Sequence, residues 1–170
     1  MSLSIRPAEP SDAPALAAAL LRNRAYTQPR EPRRDASYYT AEAQAERLAA
    51  PGTRMWFAVD RERIAAAATL SGIARGPFCS ANLGYWVDEE YAGKGLATRL
   101  VEEVCRAARE ELGLHRVEAG TMLDNAASQR VLAKTGFERY GTAPRYLHID
   151  GEWRDHHIFQ RILHDDPPAP

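Results

Sequence analysis

A chain of 170 residues, 45% of them hydrophobic, can bury one substantial core and is short for two domains. Its formal charge of −1 supplies no basic field for nucleic acid or an anionic membrane, and neither partner is expected. Cys79 and Cys105 form neither a C-x-x-C nor a ligand cluster, so no metal is expected. No apolar run reaches membrane-span length, and Met1-Ser2-Leu3-Ser4 lacks a signal-peptide layout, which makes a reducing cytoplasm the expected location.

In chain order, a strand is predicted over residues 3–7 and a helix over 11–25. Residues 28–37 hold prolines and several charges and read as a loop. Tyr38-Tyr39 leads into a second helix near 41–50, stopped by Pro51-Gly52. Met55 to Val59 and Ile64 to Ser71 read as paired strands around Asp60-Arg61-Glu62, the alanine run at 65–68 being strand by context rather than propensity. A strand follows at 82–88. From Leu96 the period changes to helical, with Leu100, Val101, Val104, Cys105, Ala108 and Leu112 on one face, which makes Cys105 a buried thiol. Arg116 to Met122 alternates Val117 and Ala119 against Glu118, as a strand does. A short helix opens after Asp124-Asn125, with Lys134 in its last turn and Gly136 beyond it. Asp150-Gly151 marks a two-residue hairpin turn, and His156 and His157, adjacent on its second strand, face opposite sides. A single domain over 1–164 with a frayed tail over 165–170 is expected.

The run from Gly84 to Thr98 carries the chemistry. A strand breaks into a turn freed by Gly93 and Gly95, and the turn opens a helix, so several N–H groups converge on the positive end of a helix dipole. That arrangement binds phosphate. It is not a P-loop, because Gly95 follows Lys94 where a hydroxyl is required. It is not a dinucleotide fingerprint either, since Thr98 replaces the third glycine. It resembles motif A of the GNAT N-acetyltransferases, [QR]-x-x-G-x-[GA], with Glu90 at the Gln or Arg position, and Glu90 is expected to point outward. Downstream, Asn125-x-x-Ser128-x-x-Val131-Leu132-x-Lys134-x-Gly136-Phe137 resembles the coenzyme-A-binding helix of the RimJ/RimL branch, the ribosomal-protein N-acetyltransferases. The resemblance extends over nearly the whole chain, through Asn23-Arg24, Glu31-Pro32 and the hairpin near Tyr146, with Arg30 in place of a tryptophan.

That resemblance implies a mixed α/β fold: a mostly antiparallel sheet of about seven strands, splayed in the middle, flanked by about four helices. It implies acetyl-CoA as donor and direct attack by a primary amine in a ternary complex. Pyrophosphate would rest on the N–H groups of Ala92, Gly93, Lys94, Gly95, Leu96 and Ala97, with the Lys94 and Arg99 side chains as candidates for outer phosphates. Val87 N–H would polarise the thioester carbonyl, and Asn125 and Ser128 would flank the pantetheine arm.

Many family members place an acid tyrosine on the last helix, but Val131-Leu132-Ala133 holds none, so Ser128 is the candidate to hydrogen-bond the sulfur. Its alternative is service to the helix backbone. Glu118 is the candidate to take the amine proton, against a plain solvent-facing carboxylate.

An α-amine titrates near 7.7–8.0 and a lysine near 10.4, so freeing lysine at pH 7 costs roughly 3.5 kcal/mol more. A site with no evident strong base therefore favours a peptide or protein N-terminus. The alternatives are a small-molecule amine (an antibiotic, a polyamine or an amino-acid-like compound) and a non-catalytic acyl-CoA sensor. Residues 28–39 and the surroundings of Tyr146 are expected to wall the acceptor, with Arg30, Arg33 and Arg34 available for a carboxylate. A monomer or a homodimer is expected.

Overall fold

The structure, a computed structural model, describes residues 3–169. Met1 and Ser2 of the expected domain and signal-peptide reading, and Pro170 of the expected tail, lie outside them. One seven-stranded sheet runs through the molecule in the order β1-β2-β3-β4-β5-β7-β6. Its strands are β1 Leu3–Pro7, β2 Arg54–Asp60, β3 Arg63–Ala74, β4 Ser80–Val87, β5 Arg116–Met122, β6 Glu138–Ile149 and β7 Glu152–Ile162. The helices are α1 Ala13–Thr27, α2 Ala41–Ala49, α3 Leu96–Glu110 and α4 Ala126–Lys134. All neighbouring strands are antiparallel except β4 and β5. This is the mixed architecture the motifs imply.

Both faces of the left half of the sheet are covered, and the side-chain alternation of β2 shows it. Trp56 and Ala58 belong to the core under α3, while Met55, Phe57 and Val59 belong to the core under α1. Strands covered on both faces lose their polar-apolar alternation. The alanines of β3 follow the same logic: Ala65, Ala66, Ala67 and Ala68 are all buried, and their small size lets helices close on both faces. The larger core gathers Leu96, Leu100, Val101, Val104, Cys105 and Ala108 of α3, the face read from the sequence. Burial pushes the Cys105 thiol up to about 11, which keeps it protonated.

The loop between α1 and α2 holds two short helical turns, Gln28–Arg30 and Ala36–Tyr39, where an irregular stretch was expected. Asp150 and Gly151 both take positive φ, at 45° and 87°, in the turn that joins β6 to β7. His156 is buried while His157 reaches Arg139 and Thr142 on the opposite side.

The feature that positions the site is the gap between β4 and β5. These strands pair only at Ser80↔Arg116, Ala81↔Val117 and Asn82↔Glu118, and then diverge. β4 runs five residues past the last pair, to Val87, with one edge bonded to β3 and the other unpaired.

Candidate active site

The phase of the β4 backbone follows from a single bond. Asp88 N–H donates to Ala65 O at 2.8 Å, in a ladder that pairs Ala66 with Val87 and Ala68 with Tyr85. Bonded and non-bonded pairs alternate in an antiparallel ladder, so Leu83, Tyr85 and Val87 turn their N–H and C=O toward the gap. Val87 thus presents its amide where the resemblance asks for it.

The turn beyond β4 is built around Asp88, whose side chain is almost fully buried. Its carboxylate accepts from Arg22 Nε at 3.0 Å, Asn23 Nδ2 at 3.1 Å, Arg63 Nη2 at 3.0 Å and Glu90 N–H at 3.1 Å. Burial alone would raise its pKa, but these donors outweigh it and hold the carboxyl at about 2. Asn23 also accepts from Glu89 N–H at 3.0 Å, so α1, β3 and the turn are fastened together.

From this anchor the chain enters two left-handed glycines, Gly93 at φ 73° and Gly95 at φ 75°, and Gly95 caps α3. A Cβ on either would meet nothing within 4 Å, so the concave side of the turn is open. Ala92 leaves the expected cradle: its N–H is committed to Glu89 O at 3.2 Å. The N–H groups from Gly93 to Thr98 have no protein acceptor among the described residues, which adds Thr98 to the expected set. Arg99 N–H is the first to close a helical bond, to Gly95 O. Lys94 does not point at the cradle; its Nζ donates back to Glu90 O at 2.7 Å. Glu90 points outward, as expected, and pairs with Arg63 at 2.9 Å.

Across the gap, Asn125 caps α4 by accepting from Ser128 N–H at 3.2 Å. Ser128 Oγ meets the Tyr85 hydroxyl at 2.7 Å. Tyr85 is the residue that motif reading missed: it comes from β4, not from the helix where a tyrosine was sought. Burial pushes its pKa up to about 12, with the Ser128 hydrogen bond working against that shift. Glu118 lies at the last β4–β5 pair, where Arg116 pairs with its carboxylate and the Tyr140 hydroxyl donates to it.

On the opposite face of β4, a pocket of about 360 Å³ lies between the Gly84–Trp86 backbone and the loop after α1. Its walls include Arg24, Glu31, Arg34, Tyr38, Tyr39 and Trp86. The loop is tied down by two ion pairs, Arg30 with Asp124 at 2.5 Å and Arg33 with Asp150 at 3.2 Å. Of the three arginines expected to receive a carboxylate, these two are therefore engaged within the protein, and Arg34 stacks over the Tyr38 ring at 4.7 Å. Tyr146 packs against His156 rather than on this pocket.

Converging amides at a helix start, beside an open strand edge with free N–H and C=O groups, define a site for a diphosphate-bearing carrier with an amide-rich arm. The donor set fits coenzyme A in both parts. The sequence profile of the acetyltransferase (GNAT) domain matches residues 2–138. The chain is 33% identical to the probable N-acetyltransferase YjcK of Bacillus subtilis strain 168, over 97% of this chain and 96% of that protein. It is 34% identical to the ribosomal protein uS5-alanine N-acetyltransferase of Escherichia coli K12, over 91% of this chain and 84% of that protein. Among solved structures, the ribosomal-protein-S5-alanine acetyltransferase of Vibrio fischeri superposes with a TM-score of 0.91 at 32% identity, over 97% of this chain and 95% of that one. Mycobacterium smegmatis RimJ in complex with CoA-disulfide does so with a TM-score of 0.86 at 27% identity, over 94% and 81%. The chain belongs to the GNAT acetyltransferase family and is an acetyl-CoA-dependent N-acetyltransferase. Its relatives include the ribosomal-protein acetyltransferases of the RimJ/RimL type.

Proposed function

We propose that the enzyme acetylates the α-amine of a peptide or protein N-terminus by direct attack on the thioester. The observation that carries this is the pocket across β4 from the Tyr85–Ser128 pair. An acceptor seated there would lie on one face of the strand whose open edge flanks the acyl carrier, and neither lysine nor histidine is among the residues that line it. The relatives named for ribosomal-protein alanine acetylation support the same acceptor class.

In this reading the amides from Gly93 to Thr98 hold the diphosphate, and the free edge of β4 aligns the amide-rich arm. Val87 N–H hydrogen-bonds the carbonyl oxygen as it gains negative charge. Tyr85, with a pKa of about 12, keeps its proton and stabilises the departing sulfur by donating a hydrogen bond. A thiol of ordinary pKa, about 8.5, leaves as the anion and takes its proton from water. Ser128 holds the Tyr85 hydroxyl in place, and Asn125 fixes the first turn of α4 that carries Ser128.

A second acceptor is favoured by one observation: Arg24 and Arg34 stack on Tyr39 and Tyr38 with no carboxylate ion-pair partner among the described residues. A free amino acid would supply that carboxylate. Incubation with acetyl-CoA and a panel of short peptides, amino acids and polyamines, following free thiol, separates the acceptors. Turnover confined to polyamines or to lysine side chains would end the α-amine reading.

A further inference from the structure

Glu31 is the one carboxylate on the wall of the acceptor pocket. Its backbone is fully committed: its N–H donates to Gln28 O at 3.2 Å, and its C=O accepts from Asp150 N–H at 3.0 Å and from Gln28 Nε2 at 3.3 Å. Its neighbours in the loop, Arg30 and Arg33, are pinned by their ion pairs to the turn before α4 and the turn after β6. The side chain is therefore placed by a rigid frame on both sides. The carboxylate itself has no hydrogen-bond or ion-pair partner among the described residues.

Glu31 is half-buried, and an unpartnered carboxylate partly withdrawn from water is stabilised when a cation meets it. Burial raises the Glu31 pKa, and the fields of Arg34 and Arg47 oppose that rise without reversing it. Both guanidiniums lie over the Tyr38 ring, at 4.7 Å and 5.0 Å, rather than bonded to Glu31. The other titratable groups around the pocket are the Tyr38, Tyr39 and Tyr85 hydroxyls and the Arg24 guanidinium over Tyr39. Glu118, by contrast, is already held by Arg116 and Tyr140 at the closed end of the gap.

We propose that Glu31 receives the ammonium group of the acceptor and takes its proton, acting as the base of the reaction in place of Glu118. This rests on the pocket being the acceptor's. The nitrogen, freed of one proton to Glu31, bonds to the thioester carbonyl carbon; the carbon–sulfur bond breaks, sulfur leaves with the electron pair, and the second proton shed by the nitrogen passes to water, from which the thiolate is protonated. Glu31 then returns its proton to water. No oxidant, reductant or further reactant is needed.

The test is E31Q, which keeps the size and the backbone bonds of the loop, alongside E31D and E118Q. Each is assayed on the best acceptor of the wild-type panel, whatever its class, with coenzyme A binding followed by calorimetry. With Glu31 as base, wild-type kcat/KM stays level below the acceptor amine's pKa and falls only at the Glu31 pKa. In E31Q the fall begins at the amine's own pKa, near 7.7–8.0 for an α-amine. At pH 6.5 the loss in E31Q is about a hundredfold, it narrows toward pH 9, and coenzyme A affinity is unchanged. E31D recovers part of the rate, and E118Q retains the wild-type acid limb. An E31Q profile that superposes on wild type overturns the proposal, as does an upward shift of the acid limb seen in E118Q instead. Turnover of amino acids but not peptides would end the peptide reading while leaving this test intact on the new acceptor.

Discussion

Asp88→Asn probes the anchor on which the phosphate turn is built. Asparagine keeps the shape but replaces one acceptor with a donor, facing the donors of Arg22, Asn23 and Arg63. The Asp88 carboxyl is held at about 2 against an ordinary value of 3.8, with its side chain only 2% exposed. That depression corresponds to about 2 kcal/mol of folding stability at neutral pH. Because the folded-state pKa is the lower one, the contribution is complete above the unfolded value and is lost as pH falls through the folded one. At pH 3 about half remains. The removal of one partner from a buried pair also strands the other charges, but Arg22 and Arg63 are roughly one-third exposed and relax into water, so the extra cost is small.

The assay is urea unfolding of wild type and Asp88→Asn at pH 6 and pH 3. The expected gap is about 2 kcal/mol at pH 6, shrinking by about half at pH 3. Coenzyme A affinity at pH 7 should fall as well, because Asp88 accepts from Glu90 N–H directly and holds the Asn23 amide that accepts from Glu89 N–H, and both bonds set the entry to the turn. A gap below about 1 kcal/mol at pH 6, or one that does not narrow with acid, would refute the assignment of Asp88 as an ionised anchor.

The remaining predictions concern the cleft. Tyr85→Phe removes a hydrogen bond made to a charged sulfur, worth about 1.5–3 kcal/mol, so kcat should fall about tenfold to a hundredfold with coenzyme A affinity intact; an unchanged kcat removes Tyr85 from the reaction. Ser128→Ala should give a smaller loss of the same kind, and its effect should vanish in the Tyr85→Phe background if Ser128 acts by holding that hydroxyl. Gly95→Ala forces a Cβ onto a residue at φ 75° and costs about 1 kcal/mol in stability. The methyl also projects into the open side of the turn, so coenzyme A should bind about tenfold more weakly, a difference of about 1.4 kcal/mol. Isothermal calorimetry showing an unaltered dissociation constant would contradict that placement.

The fold was largely legible because its elements carry their own boundaries. The N-terminal cap of α4 is written as Asn125 and Ser128, its C-terminal glycine as Gly136, and the last turn as Asp150-Gly151. The alanine stretch in β3 was legible only from context, since a strand covered by helices on both faces has no period for propensity to find. The turn's free N–H groups run from Gly93 to Thr98, one residue later at each end than the sequence suggests. Their limits depend on a turn bond, Ala92 N–H to Glu89 O, that no local pattern announces.

The reactive side chains are a different matter, because they are assembled by the gap and not by any one segment. A tyrosine sought on α4 is supplied by β4, 43 residues before the serine it meets. The two are opposed only because β4 outruns its pairing with β5, and that divergence is a property of the sheet. Glu31 is legible as a resemblance and silent as chemistry. Its lack of a partner follows from where two distant anchors, Asp124 and Asp150, leave the loop. The sensor reading rested on the absence of a tyrosine from α4, and a tyrosine hydroxyl stands against Ser128 all the same, supplied by β4.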